Sequence, residues 1–96
     1  MNRIISANEI PQSCLLKFGA EWCAPCRAIK PVLDRVANST GVTIVDVDID
    51  DSPELAETFG VRGVPTVFAI KDGKTVDMIV GAVGESKFLE MAEKTK

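Results

Sequence analysis

Histidine and tyrosine are both missing from this 96-residue chain, and tryptophan occurs once. Without histidine, the commonest general base near neutral pH is unavailable, and so is the commonest nitrogen ligand for zinc. Cysteine is sparse too: Cys14, Cys23 and Cys26 are the only three. An odd number of thiols argues against a small secreted domain stapled by disulfides, and three thiols without histidine fall short of a four-ligand zinc site, so no metal is expected. No apolar run approaches the ~20 residues of a membrane span. Met1-Asn2-Arg3 is not followed by the apolar region and small-residue cleavage site of a secretory signal, so a cytoplasmic protein is expected. There is no excess of basic residues, since the net charge is −3. That gives no electrostatic reason to expect nucleic acid or an anionic membrane as the main partner, and leaves other proteins. Repeats, linkers and low-complexity segments are also lacking, and an ordinary composition with 46% hydrophobic residues indicates one domain over residues 1–96.

Chemistry is concentrated in Trp22-Cys23-Ala24-Pro25-Cys26. The preceding run Cys14-Leu15-Leu16-Lys17-Phe18 reads as a strand ended by Gly19 and Ala20. After the thiols, Ala28, Ile29, Val32, Leu33, Val36 and Ala37 recur at helical spacing. The thiols therefore belong to the first turn of a helix, where unpaired backbone N–H groups and the positive end of the macrodipole favour a thiolate at Cys23. The thiolate is the species that attacks disulfides, which makes Cys23 the attacking sulfur. Cys26, three positions on, shares its face and lies one turn deeper, where it is the more shielded, resolving sulfur. Pro25 fits a first turn because its missing N–H costs little there, and its fixed φ stiffens the loop. A purely structural disulfide is a poor reading, since so short a loop restrains the unfolded chain little.

The motif Trp-Cys-x-Pro-Cys between a strand and a helix resembles the thioredoxin family. The likeness continues through Phe18, Ala20, Glu21, Trp22, Pro31 and Asp50, the run Gly60-Val61-Arg62-Gly63-Val64-Pro65-Thr66, Lys71-Asp72-Gly73 and Gly81-Ala82. It covers nearly the whole chain in the family's order. Two departures stand out: Ala24 replaces the usual glycine, and the first strand and helix are abbreviated. Glutaredoxins resemble the same fold but usually carry a tyrosine between the cysteines. The resemblance implies a thiol-disulfide oxidoreductase acting as a monomer without a bound cofactor, re-reduced by thioredoxin reductase and serving targets such as ribonucleotide reductase. It also implies a cis bond at Val64-Pro65, with Pro65 facing the dithiol. Trp22, Ala24, Pro25, Val64, Pro65, Gly81 and Ala82 are then expected to form a flat, mostly apolar docking surface. Two other uses of that surface stay open: a binding module in which redox is incidental, as in a polymerase or assembly subunit, and a disulfide donor running the chemistry backwards.

Lys17 is out of place on a central strand, where an ammonium is costly unless paired. Thioredoxins usually hold a buried Asp at this position and its lysine partner on the next central strand. Here the matching residue is Asp46, so the pair reads as charge-reversed, with Lys17 favouring the Cys26 thiolate and Asp46 holding Lys17. The alternative is a Lys17 that reaches solvent along its stem while Asp46 faces water. Cys14 reads as a small buried hydrophobe.

The remaining elements follow from local signals. Ile4-Ile5 suggests a first edge strand, followed by at most a turn of helix before Pro11. The dithiol helix runs to about residue 39, with Gly41 as its stop, and Val42 to Asp48 is a strand. Ser52-Pro53-Glu54 opens a helix with Ser52 as its cap, and Leu55, Ala56 and Phe59 on its buried side. Val67 to Ile70 and Thr75 to Val80 flank an Asp72-Gly73 hairpin turn. Glu85 to Lys94 is a final helix with Phe88, Leu89 and Ala92 inward. Together these predict an α/β thioredoxin fold: a central mixed sheet of four to five strands flanked by helices on both faces.

Overall fold

The computed structural model describes residues 1–96. Five strands form one mixed sheet in the order β1-β3-β2-β4-β5: β1 (Asn2–Arg3), β2 (Cys14–Gly19), β3 (Ile44–Asp48), β4 (Thr66–Lys71) and β5 (Lys74–Val80). β3 runs parallel to both β1 and β2, whereas β4 is antiparallel to β2 and to β5. The central strands β2 and β3 are buried along their whole length, as strands covered on both faces must be.

Alternation along β2 sorts the core into two layers. Leu15 faces α1 (Ala24–Thr40) and α3 (Glu85–Lys94), packing with Ile29, Leu33, Val36, Phe88, Met91 and Ala92. Cys14, Leu16 and Phe18 face the other way, toward α2 (Pro53–Thr58). There Phe18, Phe59 and Phe68 meet with ring centroids 5.2 to 5.6 Å apart, the tilted and edge-on arrangements aromatic quadrupoles favour. Lys17 and Gly19, two and four residues after Leu15, fall on the α1 face.

Local differences from the sequence-based expectations have physical causes. β1 pairs through Asn2 and Arg3, and Ile4 instead turns into the core while Ile5 is left exposed. β3 begins at Ile44, because Val42 and Thr43 are used in leaving α1, whose end at Gly41 is left-handed. Ser52 occupies the N-cap position of α2, but its hydroxyl donates to the Ile5 carbonyl at 3.4 Å and not to its own helix. A tertiary partner has displaced the local cap. In α3, Leu89 packs against the core as expected though only half-buried, and Met91, not anticipated there, is fully buried beside Phe88 and Ala92. Asp77 of β5 accepts from Lys94 Nζ at 2.9 Å, tying α3 to the sheet edge, and that bond holds its carboxyl below the ordinary range.

Candidate functional site

β2 ends at Gly19 and the chain turns directly into α1, so the dithiol sits at the carboxyl end of a central strand. Cys23 is the N-cap of α1, with extended φ and ψ of −91° and 105°. Its carbonyl accepts the first helical bond from Arg27 N–H at 3.2 Å, and its sulfur accepts the Cys26 N–H at 3.2 Å. Sulfur therefore stands where a capping oxygen usually does, taking up one of the orphan N–H groups of the first turn. Any negative charge on Cys23 is stabilised by that bond and by the helix dipole.

The two sulfurs are at bonding distance, with Cα atoms 5.3 Å apart, inside the usual range for a disulfide. Cys23 exposes 5% of its surface and Cys26 2%. The order matches an attacking and a resolving sulfur, but access to Cys23 is narrower than its position in the sequence suggests. Ala20 completes a buried cluster with the two cysteines, and Ile49 and Val64 pack over it. The Val64 carbonyl lies 3.7 Å from Cys23 Sγ, where it can accept from the thiol once the disulfide is reduced.

Around the dithiol the structure brings together the residues expected there. Trp22 is 67% exposed, Ala24, Pro25 and Ala82 are exposed, and Val64 and Gly81 are half-buried. Pro65 differs: its side chain is fully buried, so it supports this surface from below and is not part of the exposed patch. The Val64–Pro65 peptide is cis. The Pro65 carbonyl accepts the Gly81 N–H at 2.8 Å, joining the two loops. Asp50, which carried no role in the sequence reading, accepts the Trp22 indole N–H at 2.9 Å and orients the exposed ring. An acidic residue just past a strand end gives no local sign of such a partner.

On the α1 face behind Cys26, Lys17 and Asp46 are direct neighbours across β2 and β3. Lys17 Nζ lies 3.4 Å from Asp46 Oδ1, and both residues are buried. Sequence reasoning missed a third member. Arg3 is the register partner of Asp46 on β1, and its guanidinium reaches Asp46 Oδ2 at 2.7 Å. Burial by itself would lower the Arg3 pKa, but the hydrogen bond and the charges of Asp46, Asp48 and Asp51 outweigh it and raise the value. The row Arg3, Asp46, Lys17 thus carries one carboxylate between two cations. Gly19 lets it approach the dithiol: a Cβ there would lie 3.3 Å from both Cys26 Sγ and Lys17 Cε.

These residues belong to a recognisable set. The chain matches the thioredoxin family over residues 2–94. It is a thioredoxin-family protein. It is 40% identical to thioredoxin 1 of Synechococcus elongatus over 82 residues, covering 83% of this chain and 77% of that protein. It is 39% identical to the chloroplastic M-type thioredoxin of Zea mays over 93 residues, covering 95% of this chain and 54% of the maize protein, about half its length. Among solved structures, a mutant thioredoxin from Halobacterium salinarum superposes with a TM-score of 0.90 at 30% identity, over 97% of this chain and 88% of that one. Thioredoxin of Fasciola hepatica superposes with a TM-score of 0.80 at 37% identity, over 88% and 82%. Thioredoxins are thiol-disulfide oxidoreductases, and the Cys23–Cys26 pair is the dithiol such chemistry needs.

Cys14 stands apart from this thioredoxin site. It is fully buried on the opposite face of β2, and burial pushes its thiol from 9.0 up to about 11. A thiol that resists ionisation is inert, so Cys14 should escape iodoacetamide at pH 8 in the native protein and react only after unfolding. Its raised pKa also contributes stability that is complete below about pH 9 and lost as pH rises toward 11, because the unfolded thiol ionises first. The stability of the native chain relative to its Cys14→Ala variant should therefore fall by about 2 to 3 kcal/mol across that window in urea titrations. A constant difference would show that the thiol is not desolvated.

Proposed function

We propose that the chain works as one domain over residues 1–96, a thioredoxin that reduces disulfides on partner proteins. The cap bond from Cys26 N–H to Cys23 Sγ carries this reading, because it favours the thiolate on the sulfur with the greater exposure. Cys23 attacks a partner disulfide, forms a mixed disulfide and releases one partner sulfur as a thiolate. Cys26 then attacks Cys23 Sγ, closing the Cys23–Cys26 disulfide and releasing the second partner sulfur. Two electrons pass to the partner, and a reductase of the thioredoxin reductase class returns them to the dithiol. Disulfide-containing proteins such as ribonucleotide reductase suit this donor.

Trp22, Ala24, Pro25, Val64, Gly81 and Ala82 form the docking face, with Pro65 beneath it. Lys17 favours the Cys26 thiolate, and Asp46 holds Lys17. A reducing compartment such as the cytoplasm would keep the resting protein as the dithiol, and no helix is long and apolar enough to cross a membrane. The test is reduction of insulin disulfides with a chemical dithiol as electron source. Catalysis is expected for the native chain and none for the double variant Cys23→Ser, Cys26→Ser. Equal rates for the two would leave only the binding role of this surface.

A further inference from the structure

A cleft of about 550 Å3 opens behind the dithiol, reaching Cys26 from the side of β1, β3 and β2. It shares none of the residues of the docking face, so a protein partner and an occupant of the cleft can be present together. Four cationic side chains line it: Arg3, Lys17, Arg27 and Lys30. Only Asp46 and Glu21 oppose them there.

At the inner end the charges are balanced: Asp46 is shared between Arg3 and Lys17, one on each carboxylate oxygen, and Arg3 also meets Asp48 at 3.6 Å and Asp51 at 3.9 Å. The outer end differs. Arg27 donates to the backbone carbonyl of Glu21, and neither Arg27 nor Lys30 takes part in any ion pair. Both are exposed on α1, three residues apart, and so lie on one side of the helix within its first two turns. Like charges so placed repel, and the positive end of the helix dipole adds to the surplus. An anion between them would relieve both.

We propose that this cleft binds a small multivalent oxyanion, gripped at the rim by Arg27 and Lys30 and met on the floor by Lys17. A guanidinium offers a planar fork to two oxygens, and an ammonium supplies a compact charge beside it. The volume falls within the roughly 300 to 1,000 Å3 of small-ligand sites. Its concave shape suits a small ligand better than the flat face of a protein.

Binding requires no turnover, so its test is independent of the roles assigned to the two sulfurs. Pyrophosphate and citrate are titrated separately into the oxidised protein by calorimetry at pH 7 and fixed ionic strength. Saturable one-to-one binding of at least one is expected, and the tighter of the two tells a phosphate-bearing from a carboxylate-bearing ligand. Arg27→Gln combined with Lys30→Gln should weaken it at least about tenfold while circular dichroism stays unchanged, and Lys30→Arg should retain it. No saturable heat for either anion up to about 10 mM, or equal affinity in the double variant, overturns the proposal.

Discussion

Cys26→Ser is expected to stop turnover at the mixed disulfide, lowering insulin reduction by more than about a hundredfold. Cys23 keeps its capping position in this variant, because the bond it accepts comes from the backbone N–H of residue 26 and not from its side chain. Attack on the partner therefore proceeds, and one partner sulfur leaves. Release of the second then depends on a dithiol from solution, which replaces an intramolecular step by a bimolecular one. A partner adduct should accumulate on non-reducing gels and disappear with excess dithiol. Cys23→Ser should give neither turnover nor adduct, since the remaining sulfur is 2% exposed and sits behind the helix cap. An adduct that forms with Cys23→Ser and not with Cys26→Ser would exchange the two roles.

Lys17 and Asp46 should respond differently to substitution, although each is the other's partner. Asp46→Asn leaves the buried Lys17 ammonium with no carboxylate, and removing one member of a buried pair costs about 3 kcal/mol, readable in urea denaturation. Lys17→Met leaves Asp46 with the Arg3 guanidinium at 2.7 Å and fills the site with apolar atoms, so stability should stay within about 1 kcal/mol of the native value. Its effect is instead on chemistry. Loss of a cation beside Cys26 should disfavour its thiolate, seen as a shift of the rate profile for partner release to higher pH. An unchanged profile would take Lys17 out of the mechanism, and an Asp46→Asn variant as stable as the native chain would take Asp46 out of its support.

Element types were legible because each had a local cause. The helical spacing of Ile29, Leu33 and Val36 appears directly as the buried side of α1. Asp72 and Gly73 both adopt positive φ in the turn between β4 and β5, as that dipeptide predicts. Less legible were features that depend on what the rest of the molecule offers. Ser52 has the right identity and position for a cap, yet bonds to Ile5, 47 residues away. Pro65 belongs to the right loop, yet its ring is covered.

By itself, the order of residues determined where the sulfurs stand. A strand, a tight turn and a helix start are written within a dozen positions, and the nucleophile follows from the unpaired N–H groups at a helix end. Tertiary structure decided the electrostatics behind those sulfurs. Whether Lys17 pairs or snorkels, and whether Arg3 joins it, depends on β1 and β2 flanking β3 in register. Such pairing links positions more than forty residues apart, for example Arg3 and Asp46. Alternation marks which residues share a face, but strand order and register come from packing the whole sheet.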